Sequence, residues 1–70
     1  MKIEWITSSM LRKVVLWVDD YYAAHIQQAP DMSWVIFIWT TSKMRWTQQE
    51  VRCDDLKTAK AVAVAMVVMR

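Results

Sequence analysis

The stretch Trp34-Val35-Ile36-Phe37-Ile38-Trp39 decides the fold of this chain, because all six of its residues are apolar. Its β-branched and aromatic content predicts a strand. Side chains of a strand alternate between two faces, so this strand carries large apolar side chains on both faces of its sheet. One helix covers only one face, and a chain of 70 residues has little left to cover the other. The run therefore predicts an apolar face that a partner protein or a second copy covers.

Length and composition predict one small domain spanning residues 1–70, near the lower limit for a stable hydrophobic core. The single cysteine, Cys53, excludes an intrachain disulfide, and the first residues lack the apolar core of a signal peptide. We therefore expect a cytoplasmic protein. The uncharged apolar stretch 61–69 is too short to span a bilayer, so no membrane association is expected. The formal net charge is only +2, with acidic and basic residues interspersed, which is unlike the clustered basic face of most nucleic-acid binders.

The other segments are assigned by their periodicity. Asp54 is expected to cap a helix over residues 55–69, with Asp55 in its first turn. The inward stripe of this helix is Leu56, Ala59, Ala63, Met66 and Val67, and its outer side is Lys57, Ala61, Val64 and Val68. Alternating or β-rich patterns predict strands over residues 2–6, 12–18, 21–27, 34–39 and 44–52.

Residues 9–28 are ambiguous, because their apolar positions also fit a helical period. Their β-branched and aromatic content, interrupted by Asp19-Asp20 as a hairpin tip, favours two strands. The predicted fold class is α+β: a small antiparallel sheet of about four strands, with or without an extra N-terminal strand, and a C-terminal helix packed on one face. The alternative element order is βαββα.

The chain contains no glycine. Tight hairpin turns normally place glycine where φ is positive, so these turns are expected to use Asp, Asn, Ser or Lys. The absence of glycine also excludes the glycine-rich phosphate-binding loops of nucleotide-binding proteins. It leaves a designed or library-derived chain open as an origin, although the ambiguity over residues 9–28 is unlike an idealised design.

Three segments carry a resemblance to a known group of proteins: Tyr21-Tyr22-Ala23-Ala24-His25-Ile26, Pro30-Asp31 ahead of Trp34, and Asp55-Leu56-Lys57-Thr58-Ala59-Lys60. Over residues 12–65 the pattern resembles small phage-encoded host-takeover and anti-defence proteins, in which an aromatic β-meander ends in an alanine-rich helix. The resemblance implies a protein that binds and blocks a host protein, such as a defence nuclease, a CRISPR complex or a polymerase. The chain departs from the group in lacking glycine at its hairpin tips. The group shares no common site, so no functional residue is transferred.

Groups capable of chemistry are sparse. His25 is the only histidine and Cys53 the only thiol, so a Cys53–His25 dyad is possible in principle. The simpler interpretation makes His25 a sheet residue and Cys53 a small residue ahead of the helix. The pairs Asp19-Asp20 and Asp54-Asp55 are better explained as a hairpin tip and a helix N-terminus than as cation ligands. We therefore predict no catalytic residue, no metal site and no cofactor.

The residues expected to form an interaction surface are the large apolar ones on the uncovered sheet face and on the outer side of the helix. Val35, Phe37 and Trp39 share one face of their strand, opposite to Trp34, Ile36 and Ile38. The candidate interface comprises Tyr21, Tyr22, Val35, Phe37, Trp39, Trp46, Val64 and Val68.

These features predict a non-enzymatic protein-binding module, a phage-type inhibitor of a host protein that acts as a homodimer. The alternative is a small nucleic-acid-binding module, in which aromatic residues stack bases beside Arg12, Lys13, Lys43 and Arg45. The sequence does not identify the partner or say which sheet face is covered.

Overall fold

The computed structural model describes residues 1–9, 12–40 and 42–69. It has a five-stranded antiparallel sheet and one C-terminal helix, which confirms the α+β prediction and includes the N-terminal strand. The elements are β1 (Ile3–Ser8), β2 (Lys13–Val18), β3 (Tyr21–Gln28), β4 (Trp34–Thr40), β5 (Arg45–Cys53) and α1 (Leu56–Val68).

The strands form a meander in which each strand pairs with the next along the chain, in the order β1-β2-β3-β4-β5. Two irregularities interrupt the ladders. Leu16 pairs with Ala24 but Trp17 pairs with Tyr22, so Ala23 is an extra residue on β3. On β5, the irregularity falls opposite Ile36, between the Val35 and Phe37 pairings. β1 and β5 are the two edge strands of the sheet.

Residues 9–28 contain two strands, so the alternative βαββα order is wrong. Asp19 and Asp20 connect them with φ values of 49° and 69°. Positive φ at both central residues is the mark of a type I′ turn, whose twist matches that of the flanking strands. The Asp19 carboxylate also accepts a hydrogen bond from the Lys2 backbone N–H at 2.8 Å. This hydrogen bond holds the residue just before β1 against the β2–β3 hairpin tip.

The hydrophobic core lies between the sheet and α1. Leu16, Ile26 and Ile36 are fully buried in it, and they come from the three central strands. Ala59 and Ala63 of α1 are also fully buried, because their small side chains let the helix lie close to β3 and β4. We call this face of the sheet the helix side and the opposite face the free face.

The helix begins one residue later than the sequence suggests. Asp55, and not Asp54, is the N-cap, and its carboxylate accepts a hydrogen bond from the Thr58 backbone N–H at 2.6 Å. The predicted inward stripe is confirmed. The prediction that Val64 lies on the outer side is wrong, because Val64 is half-buried against the core cluster, whereas Val68 is exposed. Val64 lies at the flank of the stripe, where a wide helix–sheet contact still reaches it.

Five non-glycine residues among those described have positive φ: Arg12, Asp19, Asp20, Met32 and Met44. The two aspartates fit the expectation for turns without glycine. Arg12 and the two methionines do not, because a long side chain gains nothing in the left-handed region. That region costs such residues about 1–2 kcal/mol.

Replacing Met44 with glycine is expected to raise the free energy of unfolding by about 0.5–1 kcal/mol, after the extra flexibility of glycine in the unfolded chain is subtracted. Met44 is exposed and has a φ of 52°, so little packing is lost. Urea unfolding measures the change. Met44→Ala is the control, because alanine keeps the steric cost of positive φ. Equal stability of the two variants would contradict the prediction.

Candidate functional site

The free face is built by alternate residues of all five strands, because their neighbours along each strand enter the core on the helix side. The cross-strand register arranges these residues in three rows, with the Trp39–Trp46 pair beside the first of them. The first row is Glu4, Trp17 and Tyr22; the second is Ile6, Val15, His25, Phe37 and Gln48; the third is Ser8, Lys13, Gln27, Val35 and Arg52.

Six rings on the free face form one contiguous group, which we call the aromatic cluster. Tyr22 lies near its middle, with its ring centroid 4.6 Å from that of Trp46 and 5.6 Å from that of Trp17. Trp39 contacts Trp46 edge-on at 5.4 Å. Such tilted and edge-on contacts are the favoured geometries of aromatic pairs. The cluster consists of Trp17, Tyr22, His25, Phe37, Trp39 and Trp46.

His25 lies inside this cluster and is only 6% exposed. Its ring stacks on Phe37 at 4.8 Å and contacts Trp46 at 4.9 Å, and its Nδ1 is 3.2 Å from the Tyr22 hydroxyl. Burial, with a smaller contribution from the nearby Lys13 ammonium, lowers the pKa of His25 from 6.5 to about 4. Burial also raises the pKa of Tyr22. At neutral pH the cluster is therefore uncharged.

The third row gives one end of the free face a polar rim. Lys13 and Arg52 lie at opposite sides of this rim, with Gln27 and Val35 between them in the register. Arg52 forms an ion pair with Asp31 at 3.3 Å, whereas Lys13 forms no ion pair with any described residue. The Ser33 side chain and backbone donate hydrogen bonds to Asp31 and lower the pKa of its carboxyl group, with a smaller contribution from Arg52. The rim therefore presents one uncompensated cation, Lys13.

A depression of about 270 Å³ adjoins this rim. Its lining includes Val35 and Phe37 of β4, Gln48 and Arg52 of β5, and the loop at Ala29-Pro30. It is wide open, with apolar and polar atoms in similar amounts. Such a shape suits an inserted side chain of a partner better than an enclosed small molecule, which needs a deeper pocket.

The predicted interface residues fall into two groups. Tyr22, Val35, Phe37, Trp39 and Trp46 all lie together on the free face. The other three do not join them. Tyr21 pairs with Val18, a helix-side residue, and is 77% exposed there, while Val64 and Val68 belong to α1.

Sequence reasoning missed Trp17 and His25 as members of the surface. The signal for Trp17 was present, because it alternates with the core residues Leu16 and Val18 along β2. The sequence assigns His25 to the sheet, but the candidate interface does not include it. Its position two residues before Gln27, with Ala24 and Ile26 on the opposite face, would have placed it among the aromatic side chains.

The structure does not bring the Cys53–His25 dyad together. Cys53 is buried in the helix-side core, and His25 lies on the free face, so the sheet separates them. Burial and the neighbouring carboxylates of Asp55 and Asp54 raise the pKa of the Cys53 thiol, which disfavours a thiolate. Among residues 1–9, 12–40 and 42–69 no group of three or more His, Cys, Asp or Glu side chains is placed to hold a metal ion.

A scan against protein-family models finds no match for this chain, and searches of curated proteins and of solved structures find none either. Among the described residues, no helix combines the length and the apolar character needed to cross a membrane.

Proposed function

We propose that this protein is a non-enzymatic binding module whose free face docks on another protein through the aromatic cluster. The observation that carries the proposal is the contiguous layer of rings on a sheet face that no helix of the described chain covers. Tryptophan, tyrosine and arginine dominate the binding energy of protein interfaces, because large rigid side chains bury much area at little entropic cost. The expectation of a homodimeric, cytoplasmic protein stays part of this proposal.

The polarity and charge of the free face indicate what kind of partner surface would bind it. Its centre is apolar and uncharged, so the partner offers an apolar patch. Lys13 is the uncompensated cation of the rim, so an acidic group on the partner fits beside that patch. Glu4 on β1 ends the first row, and its carboxylate is already paired with Lys2 at 3.0 Å. Lys13 is therefore the charge that would orient the partner on the free face.

The inhibitory role rests on the resemblance to phage-encoded host-takeover and anti-defence proteins. A small sheet with one exposed apolar face can inhibit a larger protein by covering its active or binding site. No chemistry is required for this role. We extend the proposal in this sense to a host protein, such as a defence nuclease or a CRISPR complex, as the target.

Nucleic-acid binding is the second candidate, favoured by the presence of aromatic rings together with Lys13 and Arg52 on one face. Bases stack on such rings in single-strand binders. Two observations weigh against it. Arg52 is already paired with Asp31, and Glu4 lies on the same face, so few cations are free to contact phosphates.

Two adjacent tyrosines provide a matched test of the protein-binding proposal. Tyr22→Ala is expected to weaken partner binding about thirtyfold or more, as loss of a central aromatic anchor does. Tyr21→Ala removes the same side chain from the helix side and should leave binding unchanged. Wild type and both variants are immobilised and exposed to a bacterial lysate. Each protein whose recovery depends on Tyr22 is then purified and its Kd measured against all three.

A purified protein that binds wild type and Tyr21→Ala equally, and Tyr22→Ala far more weakly, supports the proposal. Circular dichroism of each variant is the control for an intact sheet. If no purified protein distinguishes Tyr22→Ala from Tyr21→Ala, the proposal fails. The same three proteins are titrated with a single-stranded oligonucleotide at low and high salt. Binding that needs Tyr22 and falls steeply with salt would favour the nucleic-acid alternative.

A further inference from the structure

The two edges of the sheet differ in how well they are protected against pairing with another strand. Edge strands are normally guarded by charges, proline or irregular geometry. β5 has such guards: a ladder irregularity opposite Ile36, and the exposed charged residues Arg45, Glu50 and Arg52. β1 pairs regularly with β2 along its whole length and has a single charged residue, Glu4, within its bounds. The open edge of this protein is therefore β1.

The outer edge of β1 exposes apolar side chains on both faces of the sheet. Ile3 is 40% exposed on the helix side, and Ile6 is 50% exposed on the free face. Trp5, between them, packs against the core, with the Lys60 ammonium 5.4 Å from its ring. A strand added at this edge would cover apolar surface above and below the sheet at once, which a solvated edge strand does not usually offer.

The hydrogen bond between Lys2 and Asp19 shows which residues of β1 direct their backbone groups toward β2 and which direct them outward. The Asp19 N–H donates to the Lys2 carbonyl at 2.9 Å, so Lys2 and Asp19 are a hydrogen-bonded pair. Such pairs alternate along an antiparallel ladder, and Glu4, Ile6 and Ser8 therefore also bond to β2. It follows that Ile3, Trp5 and Thr7 direct their backbone N–H and C=O groups outward, away from the sheet.

We infer that two copies of this chain pair through β1, antiparallel, about a two-fold axis that passes beside Trp5. In this register Trp5 lies opposite Trp5 of the second copy, and Ile3 lies opposite its Thr7. Every outward group of Ile3, Trp5 and Thr7 then finds a partner. An antiparallel pair related by a two-fold axis keeps like faces together, so both helices lie on one side and both aromatic clusters on the other.

A second copy is the occupant that these features favour. The segment Lys2 to Ser8 contains one ammonium and one carboxylate, already paired at 3.0 Å, so two copies approach without net repulsion. Pairing of β1 with β5 of another copy would build an open-ended filament, and the guards on β5 oppose it. The β1–β1 pairing closes after two copies. Because it leaves the free face uncovered, it is independent of the partner proposed for the aromatic cluster.

Proline at Thr7 tests the pairing without touching the β1–β2 ladder, because the Thr7 N–H points outward. By symmetry Thr7→Pro removes two intermolecular hydrogen bonds, and the dimer should weaken about thirtyfold or more. Thr7→Val keeps the N–H and should leave the dimer intact. Light scattering behind a sizing column, across a wide concentration range, should give twice the chain mass of 8.3 kDa for wild type and Thr7→Val. Thr7→Pro should give the single-chain mass over most of that range.

Amide hydrogen exchange of the wild type provides a readout that no substitution can confound. Exchange at Ile3, Trp5 and Thr7 should slow as concentration rises, whereas exchange at Glu4 and Ile6 should not change. A wild type that keeps the single-chain mass at every concentration overturns the proposal. So does a dimer that survives Thr7→Pro and is lost in Tyr22→Ala, because the second copy would then cover the aromatic cluster.

Discussion

Lowering the pH from 7 to 4 is expected to remove about 3 kcal/mol from the free energy of unfolding, through His25 alone. The pKa of His25 is about 4 in the folded protein, against an ordinary value of 6.5. Between these two values the unfolded chain binds the proton and the folded chain does not. Stability is therefore complete above pH 6.5 and falls as the pH drops through this window.

The physical cause of this pH dependence is the buried position of His25 within the aromatic cluster. A charged imidazole there would lose its hydration, because it faces Phe37 and Trp46. The Lys13 ammonium would also repel it. For a domain of 70 residues, whose total stability is expected to be about 4–10 kcal/mol, the loss is a large fraction.

Urea unfolding at several pH values measures this effect, with His25→Gln as the control. Residue 25 of this variant cannot titrate in this window, so its stability should fall only slightly as the pH approaches 4, through Asp31 and Asp55. Asp31 and Asp55, whose pKa values are lowered by hydrogen bonds, are present in both proteins and cancel in the comparison. Parallel curves for wild type and His25→Gln would show that His25 is not buried in its neutral form.

Truncating Ile36 to alanine is expected to cost about 2–5 kcal/mol of stability, the range for a buried large aliphatic residue. Ile36 is fully buried at the centre of β4, between the sheet and α1. The loss combines the lost burial of the removed carbons with the cavity that they leave. In so small a domain this is enough to populate the unfolded state at room temperature.

Val51→Ala provides the control for this prediction, because it truncates an aliphatic side chain that is 42% exposed on β5, at the opposite edge from β1. We expect its cost to be below about 1 kcal/mol. Thermal and urea unfolding followed by circular dichroism measure both variants. Similar losses for Ile36→Ala and Val51→Ala would mean that the core does not lie between the sheet and the helix.

Much of the local structure follows from the sequence, because it depends on neighbours along the chain. The apolar run of β4, the aspartate tip between β2 and β3 and the alanine-rich helix each carry their own signal. Errors arose where a single residue decides. The carboxylates of Asp54 and Asp55 are equivalent cap candidates by type, and only the backbone path selects Asp55. Val64 lies at the margin of the helix stripe, where the width of the contact decides its burial.

The candidate site was less accessible to sequence reasoning, and the bulge at Ala23 shows why. A regular β3 would place Tyr21 on the same face as His25, and Tyr22 with Ala24 on the helix side. The extra residue reverses this arrangement for the two tyrosines, so that Tyr22 enters the aromatic cluster and Tyr21 leaves it. A bulge is a property of two paired strands, and the residue pattern within one strand does not predict it.

The sequence by itself determined the C-terminal helix, the strand at residues 34–39 and the surplus of apolar side chains for which one helix cannot account, because these follow from periodicity and composition. It favoured two strands within residues 9–28 but left the βαββα order open. Only the tertiary structure decided which sheet face the helix covers, which tyrosine joins the cluster and that His25 is buried within it. Those outcomes depend on strand register and on contacts between residues far apart in the chain. Such contacts are set by the packing of the whole domain and not by any segment alone.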